Sequence, residues 1–123
     1  MSQDSDNPQA FIADLVARSR AAQKQIEHYS QEQVDALIRA MVWSVARPGV
    51  AEDIAQFAID ETQLGNYDGK FLKIQRKTRA TLLDIIDDKS VGVIEEYPER
   101  NIRVLAKPLG VIGALAPSTN PEA

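Results

Sequence analysis

The chain has 123 residues and a mass of 13.6 kDa, with 44% hydrophobic and 26% charged residues, which describes one ordinary globular domain and excludes a disordered chain. Fourteen Lys and Arg against eighteen Asp and Glu leave a net charge of −4, and without a basic block this argues against nucleic acid or an anionic membrane as partner. No Cys and one His exclude disulfides, thiolate metal sites and a Cys nucleophile within this chain, and leave little for a zinc centre or a Ser-His-Asp triad.

Asn7-Pro8 reads as a helix start, because Asn caps and Pro suits a first turn whose N–H has no partner anyway. Phe11, Leu15, Ala22, Ile26 and Tyr29 then recur on one face, so a helix is expected to about His28. Ser30 and Gln33 have capping-box spacing ahead of the stripe Val34, Leu37, Ile38, Met41, Val42 and Val45, and Pro48-Gly49 ends that second helix. A third helix is expected from about Val50 to Leu64 with Ile54, Phe57 and Ala58 inward and Gly65 just past its end. Asn66 to Gly69 reads as a turn, and a fourth helix as running from about Lys70 to Asp87 with Phe71, Ile74, Leu82, Ile85 and Ile86 apolar.

After Lys89 the period changes to two. Val91 and Val93, then Ile102 and Val104, flank the loop Tyr97-Pro98-Glu99-Arg100-Asn101 and predict an antiparallel hairpin. Val111 to Ala116 is apolar without alternation, as in a strand covered on both faces, which needs parallel neighbours and helices above and below. No second strand of that kind exists in the chain. The pattern therefore reads as the front of a larger α/β domain, with a C-terminal strand packed on the hairpin of residues 90–107 as the alternative. No apolar run reaches the ~18 residues of a membrane span and the start Met1 to Asp6 is acidic, so a cytoplasmic location is expected.

The run Lys107-Pro108-Leu109-Gly110-Val111-Ile112-Gly113-Ala114-Leu115-Ala116-Pro117-Ser118-Thr119-Asn120-Pro121 resembles the segment that opens the cofactor-binding fold of aldehyde dehydrogenases. Pro-Ser-Thr-Asn-Pro is the form of the CoA-acylating branch, whereas the non-acylating branch usually has Pro-Trp-Asn. Tyr29 to Asp35, and Leu64-Gly65-Asn66 ahead of a Lys-rich helix, are similar to the N-terminal helices of that family. The segment Gln75-Arg76-Lys77-Thr78 to Leu82, followed by Lys89 to Ile94, looks most like its sulfoacetaldehyde-metabolising members. The resemblance runs from about residue 10 to the end.

By that resemblance Asn120 would donate its side-chain amide to the substrate oxygen as half of an oxyanion hole, a role worth about 3–4 kcal/mol when thiolate attack turns an aldehyde into an alkoxide. Its bland reading is an Asx-turn before Pro121. Leu115, Ala116, Pro117, Ser118 and Thr119 would line NAD or NADP, with CoA as co-substrate. Gly110 and Gly113 fit a strand that other backbone or a ligand approaches closely, or simply small residues in a tight sheet. The family's nucleophile is a downstream Cys, through which a thiohemiacetal becomes a thioester that CoA takes up. This chain has none, so alone it is expected to be inactive.

Lys70, Lys73, Arg76, Lys77 and Arg79 read as a solvated face rather than a nucleic-acid patch, since no aromatics interleave. Asp84, Asp87 and Asp88 oppose the helix dipole and are expected to face water or a partner, while His28 suits the dipole's negative pole. Trp43 reads as packing. Glu95 and Glu96, neighbours on a strand, point to opposite faces and share no site. An isolated two-stranded ribbon seeks an edge, and in the resembling family the ribbon here joins subunits, so homo-oligomers through residues 90–107 are expected.

The fold expected is α/β: residues 1–89 a helical part of the cofactor-binding domain, 90–107 an oligomerisation arm, and 108–123 the first strand and loop of a doubly wound, Rossmann-like sheet, incomplete. The function implied is that of the N-terminal fragment of an enzyme converting an aldehyde, sulfoacetaldehyde among the candidates, with CoA and NAD(P)+ to an acyl-CoA. The alternative is a small non-catalytic α+β interaction module.

Overall fold

A computed structural model describes residues 7–117. Four helices come first, α1 (Pro8–Ile26), α2 (Gln31–Ala46), α3 (Val50–Thr62) and α4 (Tyr67–Ile85), followed by strands β1 (Gly92–Tyr97) and β2 (Ile102–Ala106). They fall into two compact units, one of residues 31–89 with the segment from Ala114 on, the other of residues up to Ser30 with 90–113.

In the helical unit α2, α3 and α4 pack on one another. The core is small-residue: Ala51, Ala55 and Ile74 are buried together, with Ile54 and Phe71 partly buried against them. Ala51, Ala55 and Ala58 have i, i+4, i+7 spacing, so α3 presents a ridge of methyl groups that lets α4 approach closely. Of the residues expected inward, Ala58 is buried and Ile54 is partly buried against the core. Phe57 lies off the ridge and is 67% exposed.

Hydrogen bonds at the helix ends account for the turns. Glu52 reaches back to accept the Gly49 N–H at 2.7 Å, and Gly49 has φ +86°, a conformation that suits glycine. At the other end of α3, Gln63 rather than Gly65 takes the left-handed position first (φ 56°), its N–H donating to the Ile59 carbonyl at 2.8 Å. Asn66 is a helix cap and not the start of a free turn. Its side chain accepts the Gly69 N–H at 2.8 Å, so α4 begins at Tyr67, three residues before the expected Lys70. Within that first turn Tyr67 and Phe71 stack with ring centroids 6.1 Å apart.

Two side chains close the unit. Gln75 on α4 donates to the carbonyl of buried Ala46 at 2.8 Å, satisfying the end of α2 from a neighbouring helix. Gln31 donates to Asp35 at 2.8 Å and to the Asp88 carbonyl at 3.3 Å, tying the start of α2 to the chain leaving α4. Lys70 departs from the solvated face expected of it and is 6% exposed, packed near Gly65. Trp43 departs the other way and is 60% exposed.

In the other unit α1 starts as expected, with the Asn7 side chain accepting the Ala10 N–H at 3.0 Å. Its apolar face has no core: none of its residues is buried, and Phe11 and Leu15 are exposed. The hairpin is antiparallel, Gly92 opposite Ala106 and Tyr97 opposite Ile102, with one irregularity between Val93 and Glu95. A 3-10 turn, Pro98–Arg100, and left-handed Asn101 (φ 53°) close it. Residues 107–117 form no strand. The expected first strand of a doubly wound sheet is therefore not formed here, because a strand exists only as part of a ladder and no neighbour is present for it among the described residues.

Candidate functional site

The residues singled out for chemistry lie in the segment that follows β2. Leu115, Ala116 and Pro117 are described and all three are exposed, Leu115 at 99%. Ser118, Thr119 and Asn120 lie outside the described residues. Among the described residues, no atom lies within 4 Å of a Cβ built at Gly110 or Gly113. Gly110 owes its identity to its backbone, at φ +91°. Residues 115–117 thus enclose nothing by themselves and do not fit a dinucleotide as they stand, since a bound cofactor needs walls on several sides.

The segment is chemically uniform up to that point. Leu109 is 89% exposed and Ile112 69%, while Val111 is 39% exposed. Lys107, Val111 and Ile112 form one wall of an open groove of about 800 Å3 whose other wall is α1, through Leu15, Val16 and Arg20. Periodicity did not reveal this groove, because it depends on where an irregular segment runs. Its only sequence signal is that α1 and Val111–Ile112 both carry apolar faces in excess of what their own unit buries.

The hairpin carries ordered polar groups. Arg103 and Glu96, directly opposite across the ladder, pair at 2.9 Å. Glu95 points the other way and accepts a hydrogen bond from the Tyr97 hydroxyl. The two carboxylates therefore occupy opposite faces, as alternation requires, and form no acid–base pair. The hydrogen bond to Glu95, followed by the negative charge of Glu95, holds the Tyr97 hydroxyl above its ordinary pKa of 10.0. Beside these groups Val93, Ile102 and Leu105 are exposed.

The basic residues of α4 divide between surface and interior. Arg76, Lys77 and Arg79 are exposed, but Lys70 is turned inward. Asp84, Asp87 and Asp88 face solvent. Among the described residues no group of three or more His, Asp or Glu is placed to hold a metal ion, and no helix is long and apolar enough to cross a membrane.

No family model matches the chain. Curated relatives do. It is 41% identical over 113 residues to a sulfoacetaldehyde dehydrogenase of an Acholeplasma species, covering 92% of this chain and 23% of that protein. It is 44% identical over 110 residues to the succinate-semialdehyde dehydrogenase (acetylating) of Clostridium kluyveri, covering 89% of this chain and 24% of that enzyme. It is 38% identical over 112 residues to the sulfoacetaldehyde dehydrogenase (acylating) of Cupriavidus necator, covering 91% of this chain and 23% of that enzyme. The chain thus spans about a quarter of the length of the curated relatives it matches.

Proposed function

Because this chain is homologous to the N-terminal part of acylating aldehyde dehydrogenases over about nine-tenths of its length, we propose that it serves as that part of an enzyme which oxidises an aldehyde and delivers it as an acyl-CoA, with CoA and NAD or NADP as co-substrates. The observation that carries the reading is the identity of 38–44% to three such enzymes. Sulfoacetaldehyde is the proposed substrate, supported by two of those three names and by the likeness of residues 75–82 and 89–94.

In this reading the chain's own contribution is positional. Residues 115–119 form one wall of the cofactor-binding fold, completed by further polypeptide, and Asn120 stabilises the oxygen that becomes negative when a thiolate adds to the aldehyde carbon. The nucleophilic thiol comes from outside these 123 residues, which contain no Cys. The hairpin supplies a subunit contact, supported by its short exposed ladder and the apolar Val93, Ile102 and Leu105.

The test is a chimera in which this sequence replaces the matched quarter of the Cupriavidus necator relative. The chimera is expected to form acyl-CoA from sulfoacetaldehyde, CoA and NAD+ or NADP+, and the 123-residue chain alone to form none. In the chimera, Asn120→Ala is expected to lower kcat by roughly 10²–10³-fold. A folded chimera without turnover, or turnover by the short chain alone, would overturn the reading.

A further inference from the structure

We propose that copies of this chain associate head to tail, the outer face of α3 on one copy docking on the outer face of α4 on the next. Both faces lie within residues 50–85, and neither depends on the family reading above. They are complementary in charge and alike in spacing.

The α3 face is acidic with an apolar centre. Ala51, Ala55 and Ala58 point into the core, so Asp53, Phe57 and Asp60 fall on the far side of the helix at i, i+4, i+7 spacing. All three are exposed, and Phe57 at 67% is the most exposed aromatic residue among those described. A ring left in water forgoes a large burial gain, which a covering partner would recover. Gln56 donates to a carboxylate oxygen of Asp60 at 2.8 Å and so steadies it on that face.

The α4 face is its counterpart. Lys70 and Ile74 are buried, and Leu72, Arg76, Arg79 and Leu83 lie opposite them at i, i+4, i+7, i+11 spacing. Leu72 is half-buried, Leu83 is 73% exposed, and both arginines are exposed. Among the described residues neither arginine is paired with a carboxylate.

Spacing brings the two faces together. Phe57 and Asp60 are three residues apart, as are Arg76 and Arg79, a rise of about 4.5 Å on each helix. One guanidinium then meets the Asp60 carboxylate while the other stacks on the Phe57 ring, whichever way the helices run. Leu72 and Leu83, one turn beyond each arginine, shield that set from water. A single unit cannot close this contact on itself, because Ala51, Ala55 and Ile74 hold the two inner faces together and turn both stripes outward. A second copy supplies the missing face. The contact is heterologous, so it leaves one face of each kind open and can propagate.

Sedimentation equilibrium of the 123-residue chain reads this contact. The weight-average mass should rise with concentration and fall when salt reaches about 1 M, where the screening length is about 3 Å. Asp53→Lys with Asp60→Lys makes both faces basic, and Arg76→Glu with Arg79→Glu makes both acidic. Each double variant alone should associate at least about tenfold more weakly than the parent. An equimolar mixture of the two should regain association, because each offers the face that the other lacks. Residues 90–107 are the same in every sample, so a contact through the hairpin contributes equally to all. Phe57→Ala should weaken association about two- to fivefold and serves as the reading if a double variant does not fold. A mass unaffected by these substitutions, or a mixture as dissociated as its components, would overturn the self-contact and assign these faces to other polypeptide.

Discussion

Helices α2 to α4 and the segment after β2 are opposites in how they treat apolar residues. In the first, small side chains are fully covered: Ala51 and Ala55 are 0% exposed and Ile74 is 1% exposed. Helix ends are met by Asn66, Glu52 and Gln75. In the second, larger side chains stand in water, Leu109 at 89% and Leu115 at 99%. One region is covered and the other exposed, and the difference lies in secondary structure. A helix satisfies its own backbone, so three of them need only bury a stripe. A strand satisfies nothing without a neighbour.

The contrast can be broken most severely in the core. Ile74→Ala should destabilise the helical unit by about 2–5 kcal/mol, because the side chain is fully buried where α3 meets α4, and chemical denaturation reads the change directly. Ala55→Leu should cost about 1–3 kcal/mol by forcing the methyl ridge apart. If the larger side chain is accommodated at no cost, the close approach of α3 and α4 is not what packs this unit. A smaller loss, about 0.5–2 kcal/mol, is expected for Asn66→Ala, which removes the acceptor of the Gly69 N–H. Leu115→Asp should change the stability of the short chain by no more than about 0.5 kcal/mol, since it takes away no packing there.

The mildest prediction concerns pH. Tyr97 has its pKa raised above 10.0 by the hydrogen bond to Glu95 and by that residue's charge. A group whose folded pKa lies above its unfolded value contributes stability that is present below the unfolded value and lost as pH rises through the folded one. The contribution of this bond therefore persists up to about pH 10 and disappears above it. Ultraviolet titration should find the Tyr97 hydroxyl titrating above its ordinary value, and Glu95→Gln should bring it back down. A tyrosine titration left unchanged by Glu95→Gln would refute the bond.

Much of this architecture was legible before any coordinates. Asn7-Pro8, Pro48-Gly49 and the switch of period after Lys89 mark real boundaries, because capping, ring geometry and alternation are local properties. What was misread is not local. Ile54 and Ala58 turn inward as expected, but Phe57 does not, because the close approach of α4 favours the alanines at positions 51, 55 and 58. Asn66 reads equally well as turn or cap, and only the Gly69 N–H at 2.8 Å decides. Lys70 looks like surface in any sequence pattern. Its burial depends on the chain doubling back past Gly65. In the candidate site the motif was legible as chemistry, but Ser118, Thr119 and Asn120 lie outside the described residues, and Leu115 to Pro117 meet no partner that would show their role.

Native-state hydrogen exchange on the 123-residue chain tests the contrast most directly. The account predicts that amides in α3 and α4 are protected to a common level, as one cooperative unit, while those of residues 109–117 exchange without protection. Protection of residues 111–116 matching that of α3 and α4 would contradict it. The chain would then have completed a sheet of its own, as a self-sufficient interaction module does, rather than carrying a strand made for a larger enzyme.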